Sequence, residues 1–130
     1  MNQVDEHNRQ DNDVLREIVQ SLLLSASDDQ SLPHDERRDE PRFAVNLSAM
    51  ICYTDRPVWM PIFVRDMSEG GIGFRHGVPL PEGVATISFK LENGQSTELT
   101  VELLWCRNDG NSMYISGSRF LALADVEPPW

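Results

Sequence analysis

Residues 84–107, VATISFKLENGQSTELTVELLWCR, decide the fold class. Two runs of strand character, Val84–Leu91 and Thr97–Arg107, flank Asn93-Gly94, a dipeptide favoured in the two-residue turns whose twist matches that of paired strands. The segment reads as a β-hairpin. Asp109-Gly110 repeats the signal between Trp105 and Met113 and leads into a last strand from about Met113 to Leu123. Upstream, Phe43, Val45, Leu47, Ala49 and Ile51 alternate with more polar neighbours, the period-two pattern of a half-buried strand. Another strand runs from about Val58 to Asp66, Ser68–Gly73 reverses the chain, and Ile72–Arg75 can pair back. Pro79, Pro81 and Gly83 mark the connection into the hairpin. Six strands at turn spacings of roughly ten residues predict a mainly β protein, a small antiparallel barrel or sandwich.

The first forty residues are different. Met1–Asp13 is polar and without hydrophobic period, and is expected to be disordered. Val14, Leu15, Ile18, Val19, Leu22 and Leu23 then recur at helical spacing, with Asn12 or Asp13 as N-cap, and Ser25–Pro33 breaks the pattern as a linker. The expected organisation is an acidic arm over residues 1–33 with a helix over 13–25, a barrel domain over 34–124, and a tail over 125–130.

The net charge is −10, and eleven of the 21 acidic residues lie in residues 1–40 against four arginines there. Such a field opposes long nucleic acids and excludes a duplex-DNA binder. No apolar run approaches the roughly 20 residues needed to span a bilayer, and Met1–Gln10 lacks a basic stretch followed by an apolar one, so a cytoplasmic protein is expected. Cys52 and Cys106 have no ligand-spaced partners and are expected to be free, buried thiols. His7, His34 and His76 are scattered, which argues against a metal or acid–base role. Trp59, Phe89, Trp105 and Phe120 sit in strand patterns as core or barrel-face packing, and Gly117 allows close strand packing. Arg65 and Arg119 read as solvated strand residues that can extend a positive face.

Two clusters carry chemistry. In Glu36-Arg37-Arg38-Asp39-Glu40-Pro41-Arg42, the residue before proline prefers an extended backbone. Arg38 and Arg42 then share a side while Arg37 points elsewhere, and the pair can clamp an anion. Taken alone, Arg mixed with Asp and Glu is usually a solvated linker, and the cluster needs a partner. In Asp66-Met67-Ser68-Glu69-Gly70-Gly71, Asp66 and Ser68 share a face of an extended chain, offering a carboxylate and a hydroxyl, and Gly71 permits a bend and close ligand approach. An Asx or Ser turn closing a hairpin explains the same residues without a ligand.

Together, and in this order, Arg38-x-x-x-Arg42 and Asp66-x-Ser68-x-x-Gly71 resemble the PilZ domain, the bacterial receptor module for cyclic di-GMP. Leu104-Trp105-Cys106-Arg107 and Ile115–Phe120 look like that family's last two strands, and the resemblance covers about residues 34–123. It implies a six-stranded antiparallel PilZ-type barrel with an N-terminal helix and flexible arm. It also implies a site for cyclic di-GMP made of Arg37, Arg38, Arg42, Asp66, Ser68 and Gly71. Arginine can grip phosphate oxygens, pair with guanine O6 and N7, or stack on the ring. Asp66 would accept from guanine N1 and N2, Ser68 would bond the base or a phosphate, and Arg37 stands where family members bind an intercalated pair of ligands.

The expected protein is therefore a receptor, not an enzyme, with no cofactor and no metal, acting through a conformational switch on an unidentified protein effector. The output would be motility, biofilm polysaccharide or virulence. The arm would fold over the barrel as the ligand bridges them, repositioning the helix. The chain departs from many family members in lacking a helix after the last strand. Three other classes compete with this one. A PilZ-like adaptor that does not bind the nucleotide is disfavoured by the intact arginines, an RNA-binding barrel by the acidic surface, and a hydrolase by the lack of a base for Ser68.

Overall fold

The computed structural model describes residues 3–31, 41–91 and 93–130. Helix α1 (Gln3–Ala26) is followed by seven strands: β1 (Ser27–Ser31), β2 (Phe43–Tyr53), β3 (Arg56–Met67), β4 (Gly71–His76), β5 (Gly83–Lys90), β6 (Ser96–Asn108) and β7 (Tyr114–Leu123). Neighbours run β1-β2-β3-β4-β7-β6-β5, and β2 also pairs with β5, so β2 to β7 close into a six-stranded antiparallel barrel. All six expected strands are present.

Alternation fills the interior. Ala49, Ile51, Ile62, Val64, Ile72, Phe74, Ala85, Ile87, Phe89, Leu99, Val101 and Leu103 are all buried, with every second residue of each strand turned inward. Helix α1 adds Val19 and Leu22, both buried, with Leu15, Ile18 and Leu23 packed beside them, and it lies against β2 and β7. These are helical spacings, and each buried aliphatic side chain contributes on the order of 2 kcal/mol. Gln20 Nε2 donates to Glu69 Oε1 at 3.3 Å, which sets the helix beside the β3–β4 turn.

Several local expectations need correction. The helix begins at Gln3, so residues 3–13 are helical rather than disordered, because extending a nucleated helix costs little per residue. Ser27–Ser31, expected as linker, pairs as β1 with the N-terminal half of β2, whose edge β5 leaves open further along. The Asn93-Gly94 reversal is not a two-residue turn. Leu91 N donates to Gln95 O and Gly94 N to Leu91 O, and Gly94 takes φ +86°, the left-handed position of a three-residue hairpin. Cys52 and Cys106 are free but half-buried rather than buried.

His76 is a satisfied core histidine. Its Nδ1 lies 2.6 Å from the Val78 carbonyl oxygen, which can only accept, so Nδ1 carries the proton. Nε2 then accepts from the Ser116 hydroxyl at 2.7 Å. At the far end, Trp130 Nε1 donates to Ser88 Oγ at 2.9 Å and the Lys90 ammonium sits 5.6 Å above the indole, so the Trp130 ring is seated on β5.

Candidate ligand site

Strict alternation would bury Asp66, since Ile62 and Val64 point inward. A β-bulge prevents this. Val64 faces Phe74 and Asp66 faces Gly73, so Arg65 is an extra residue and Arg65 and Asp66 both emerge on the outer surface before Met67 turns back into the core. Arg42, just ahead of β2, meets the carboxylate there: its Nε donates to Asp66 Oδ1 at 2.8 Å and its Nη2 donates to the same oxygen. Both side chains are about a quarter exposed, 24% and 26%. Asp66 Oδ2 carries no hydrogen bond among the described residues.

Register then extends the site across the barrel wall. Asp66 on β3 faces Gly73 on β4, Gly73 faces Gly117 on β7, and Gly117 faces Trp105 on β6. A side chain on Gly73 would stand 2.6 Å from Asp66 Oδ2, and one on Gly117 would run into the indole of Trp105. The Asp66 carboxylate thus lies over Gly73 and the half-exposed Trp105 indole over Gly117, so the two glycines let both side chains lie close against the barrel wall, and Arg107 is stacked over the indole at 4.8 Å. Beside them, Arg119 Nε donates to Glu102 Oε1 at 2.6 Å. Of the three arginines on this face, Arg42 and Arg119 are paired with carboxylates and Arg107 is stacked on Trp105.

The expected site residues divide three ways. Arg42 and Asp66 are brought together. Arg37 and Arg38 lie outside the described residues. Ser68 and Gly71 are placed differently from the expectation that Ser68 would share an open face with Asp66: β3 ends at Met67, and Ser68 is buried in the turn. Its N–H donates to Gly71 O at 2.9 Å, and its Oγ accepts from Gly70 N–H at 3.2 Å. Gly71 owes its identity to the Ser118 carbonyl oxygen, into which any Cβ would be driven; it is absent from the glycines with positive φ, so no unusual bend requires it.

Gly73, Gly117, Trp105 and Arg107 were not foreseen as one site. The signal was available: period two puts Gly71, Gly73 and Arg75 on one face of β4, and Trp105 and Arg107 on one face of β6.

A family model of the PilZ domain matches residues 36–127. The chain belongs to the PilZ domain family. PilZ domains are nucleotide-binding receptors and adaptors that bind cyclic di-GMP and interact with effector proteins, and the closed six-stranded barrel of this PilZ domain agrees with that membership. No curated protein matches the chain. Among the described residues of this PilZ protein, no group of His, Cys, Asp and Glu could hold a metal, and no helix is long and apolar enough to cross a membrane.

Proposed function

We propose that this chain is a cyclic di-GMP receptor that binds the nucleotide beside the Arg42–Asp66 pair and Trp105 and passes the signal to a protein effector. The observation that carries the reading is the Arg42–Asp66 pair standing at one end of Gly73–Gly117 with Trp105 at the other. A guanine set beside Asp66 and the exposed face of Trp105 reaches the carboxylate with its N1–H and N2–H edge, where Asp66 Oδ2 accepts. Adenine offers no such pair of donors. Arg42 turns from the carboxylate toward a phosphate oxygen or the guanine O6 and N7, and Trp105 supplies a stacking wall. Arg38 and Arg37 add charge from the arm, with Arg37 holding a second ligand molecule. Ser68 and Gly71 serve by fixing the turn that presents Asp66.

Signal leaves through the arm. Helix α1 touches the β3–β4 turn through Gln20 and Glu69, beside the strand end that carries Asp66, so a ligand that shifts Asp66 and this turn disturbs the seat of the helix. This reading assigns no catalysis, cofactor or metal, and places the protein in the bacterial cytoplasm, where the nucleotide is found.

Titration calorimetry with cyclic di-GMP, with cyclic di-AMP as control, tests it. Saturable, guanine-selective binding that Arg42→Ala removes supports the reading. Absence of binding supports the second reading, a protein-contact adaptor, which the mutual pairing of Arg42 and Asp66 favours: two groups that already satisfy each other have a structural role without any ligand.

A further inference from the structure

Where β3, β2 and β5 run side by side, the outer wall of the barrel departs from the acidic character of the chain. Asn46, Ser48 and Met50 point outward from β2, and Pro61, Phe63 and Arg65 from β3, since Val45, Ala49, Ile51, Ile62 and Val64 fill the core between them. None of these six outward positions carries a carboxylate, although the chain has 21 acidic residues against eleven basic ones.

Register joins them into one surface. Pro61 faces Met50, and Met50 faces Ser88 on β5, while Phe63 faces Ser48 on one side and Arg75 on the other. Phe63 is 52% exposed, and beside it the wall dips into a cleft of about 490 Å³. Ser88 points outward yet is fully buried, because the Trp130 ring sits on its hydroxyl; the ring itself is 43% exposed. An apolar strip thus runs from the cleft at Phe63 past Pro61 and Met50 to Trp130. Exposed apolar surface rimmed by polar groups marks an interaction site. Cations stand at both ends of the strip. Arg65 lines the cleft and Lys90 stands over Trp130, both exposed and neither with a carboxylate partner among the described residues. Arg75 is already ion-paired with Asp109, and Glu98, beside Ser88 on β6, accepts from the Ser88 hydroxyl at 2.6 Å.

We infer that this strip docks an acidic amphipathic helix of a partner protein, with one apolar side chain in the cleft beside Phe63, another against Met50 and Trp130, and carboxylates at Arg65 and Lys90. An added strand is excluded here, because Met50 on β2 is already paired on both sides. From β3 to β5 the strip crosses two strand spacings, about 10 Å, which a helix covers in about seven residues, so anchors at i and i+7 fit it. The net charge of −10 repels an extended anionic lipid surface, whereas a single docked segment feels chiefly the charges within a Debye length, about 8 Å. The chain's own helix does not serve, because its Val19 and Leu22 are already buried against the barrel. That the partner is the signalling effector rests on the receptor reading; the surface itself does not, and it is tested without the nucleotide.

A phage-displayed library of random helical peptides, selected on the full chain, supplies the probe. The expected result is enrichment of Asp and Glu around two apolar positions seven residues apart, with binding that falls about tenfold or more in Phe63→Ser and in Arg65→Glu. In methyl-labelled methionine spectra the selected peptides should shift Met50 and leave Met67, buried in the core, unmoved. Both substitutions are at exposed positions, and a native Met67 signal certifies the fold of each variant. Peptides without acidic enrichment, peptides that bind both variants as well as they bind wild type, or no binders at all overturn the proposal. So do two further results: sedimentation with phosphatidylcholine–phosphatidylserine vesicles that Phe63→Ser removes, which assigns the strip to a membrane, and self-association that Phe63→Ser removes, which assigns it to a second copy. Failure in any arm leaves the calorimetric test of the receptor reading untouched, since none of them contains cyclic di-GMP.

Discussion

The indole of Trp105 lies across Gly117, its direct partner on β7, and fills the space a Cβ there would need. The Gly117→Ala variant should lift the ring off the wall, with a loss of about 1–2 kcal/mol in unfolding free energy and a shift of the Trp105 indole N–H resonance. An unmoved resonance with unchanged denaturant midpoint would mean that the ring has room the geometry denies it.

Gly71 and Gly73 stand on the same face of β4 but meet different obstacles. Gly71→Ala drives a methyl into the Ser118 carbonyl oxygen, and backbone cannot yield cheaply, so a destabilisation of ~3 kcal/mol and parting of the β4–β7 ladder are expected. Gly73→Ala meets only the Asp66 carboxylate, the free end of a side chain, so stability should fall by less than about 1 kcal/mol while ligand affinity falls ~10- to 100-fold as Asp66 is pushed aside. Urea unfolding and calorimetry on both variants separate the two cases; equal stabilities would remove the distinction.

Arg42 and Asp66 are partly exposed, so their pairing contributes only about 0–1 kcal/mol to the unliganded fold. Binding should depend on them far more. Arg42→Ala is expected to abolish detectable binding, and Asp66→Ala to weaken it and reduce the preference for guanine over adenine. A double-mutant cycle reads the coupling, and wild-type affinity in the double variant would remove this pair from the site.

Burial lowers the pKa of His76 below its ordinary 6.5, with the hydrogen bond to Val78 O pulling weakly the other way. The unfolded chain thus takes up the proton before the folded one does. The contribution of neutral His76 to stability is fully present above about pH 6.5 and is lost as pH falls below that value through the folded pKa. Thermal unfolding of wild type and His76→Gln across pH 5 to 7.5 should show a slope in the former that is flattened in the latter. Parallel curves would place the pH dependence on other groups.

Period-two alternation, together with the Gly-containing turns between runs, was enough to place all six barrel strands, because both are local signals that the sequence records directly. It was not enough for Asp66. The bulge at Arg65 depends on how two strands pair, a non-local relationship that no local pattern encodes, and simple alternation across Val64, Arg65 and Asp66 would turn the carboxylate inward. Ser68 failed for a related reason: the strand ends one residue earlier, and the hydroxyl joins the turn. Asp66 and Arg42 were recognisable from motif spacing, whereas Trp105 and Gly117 are twelve residues apart and become partners only through the β6–β7 register. Strand β1 carries Ser27, Asp28, Asp29, Gln30 and Ser31, residues with no strand preference, and is held by the neighbour it finds rather than by its own composition.

That neighbour gives β1 a protective role. Unpaired N–H and C=O groups along a strand margin are a template for another chain, and closing the barrel through the C-terminal half of β2 leaves its Phe43–Val45 end to be covered by β1. The acidic leader is thus also a self-supplied cap against intermolecular sheet growth. Trimming the chain to the barrel alone, by proteolysis or by an engineered truncation, trades that cap for a sticky margin beside Arg42, and self-association of the shortened protein would follow from the lost pairing rather than from any weakness of the core.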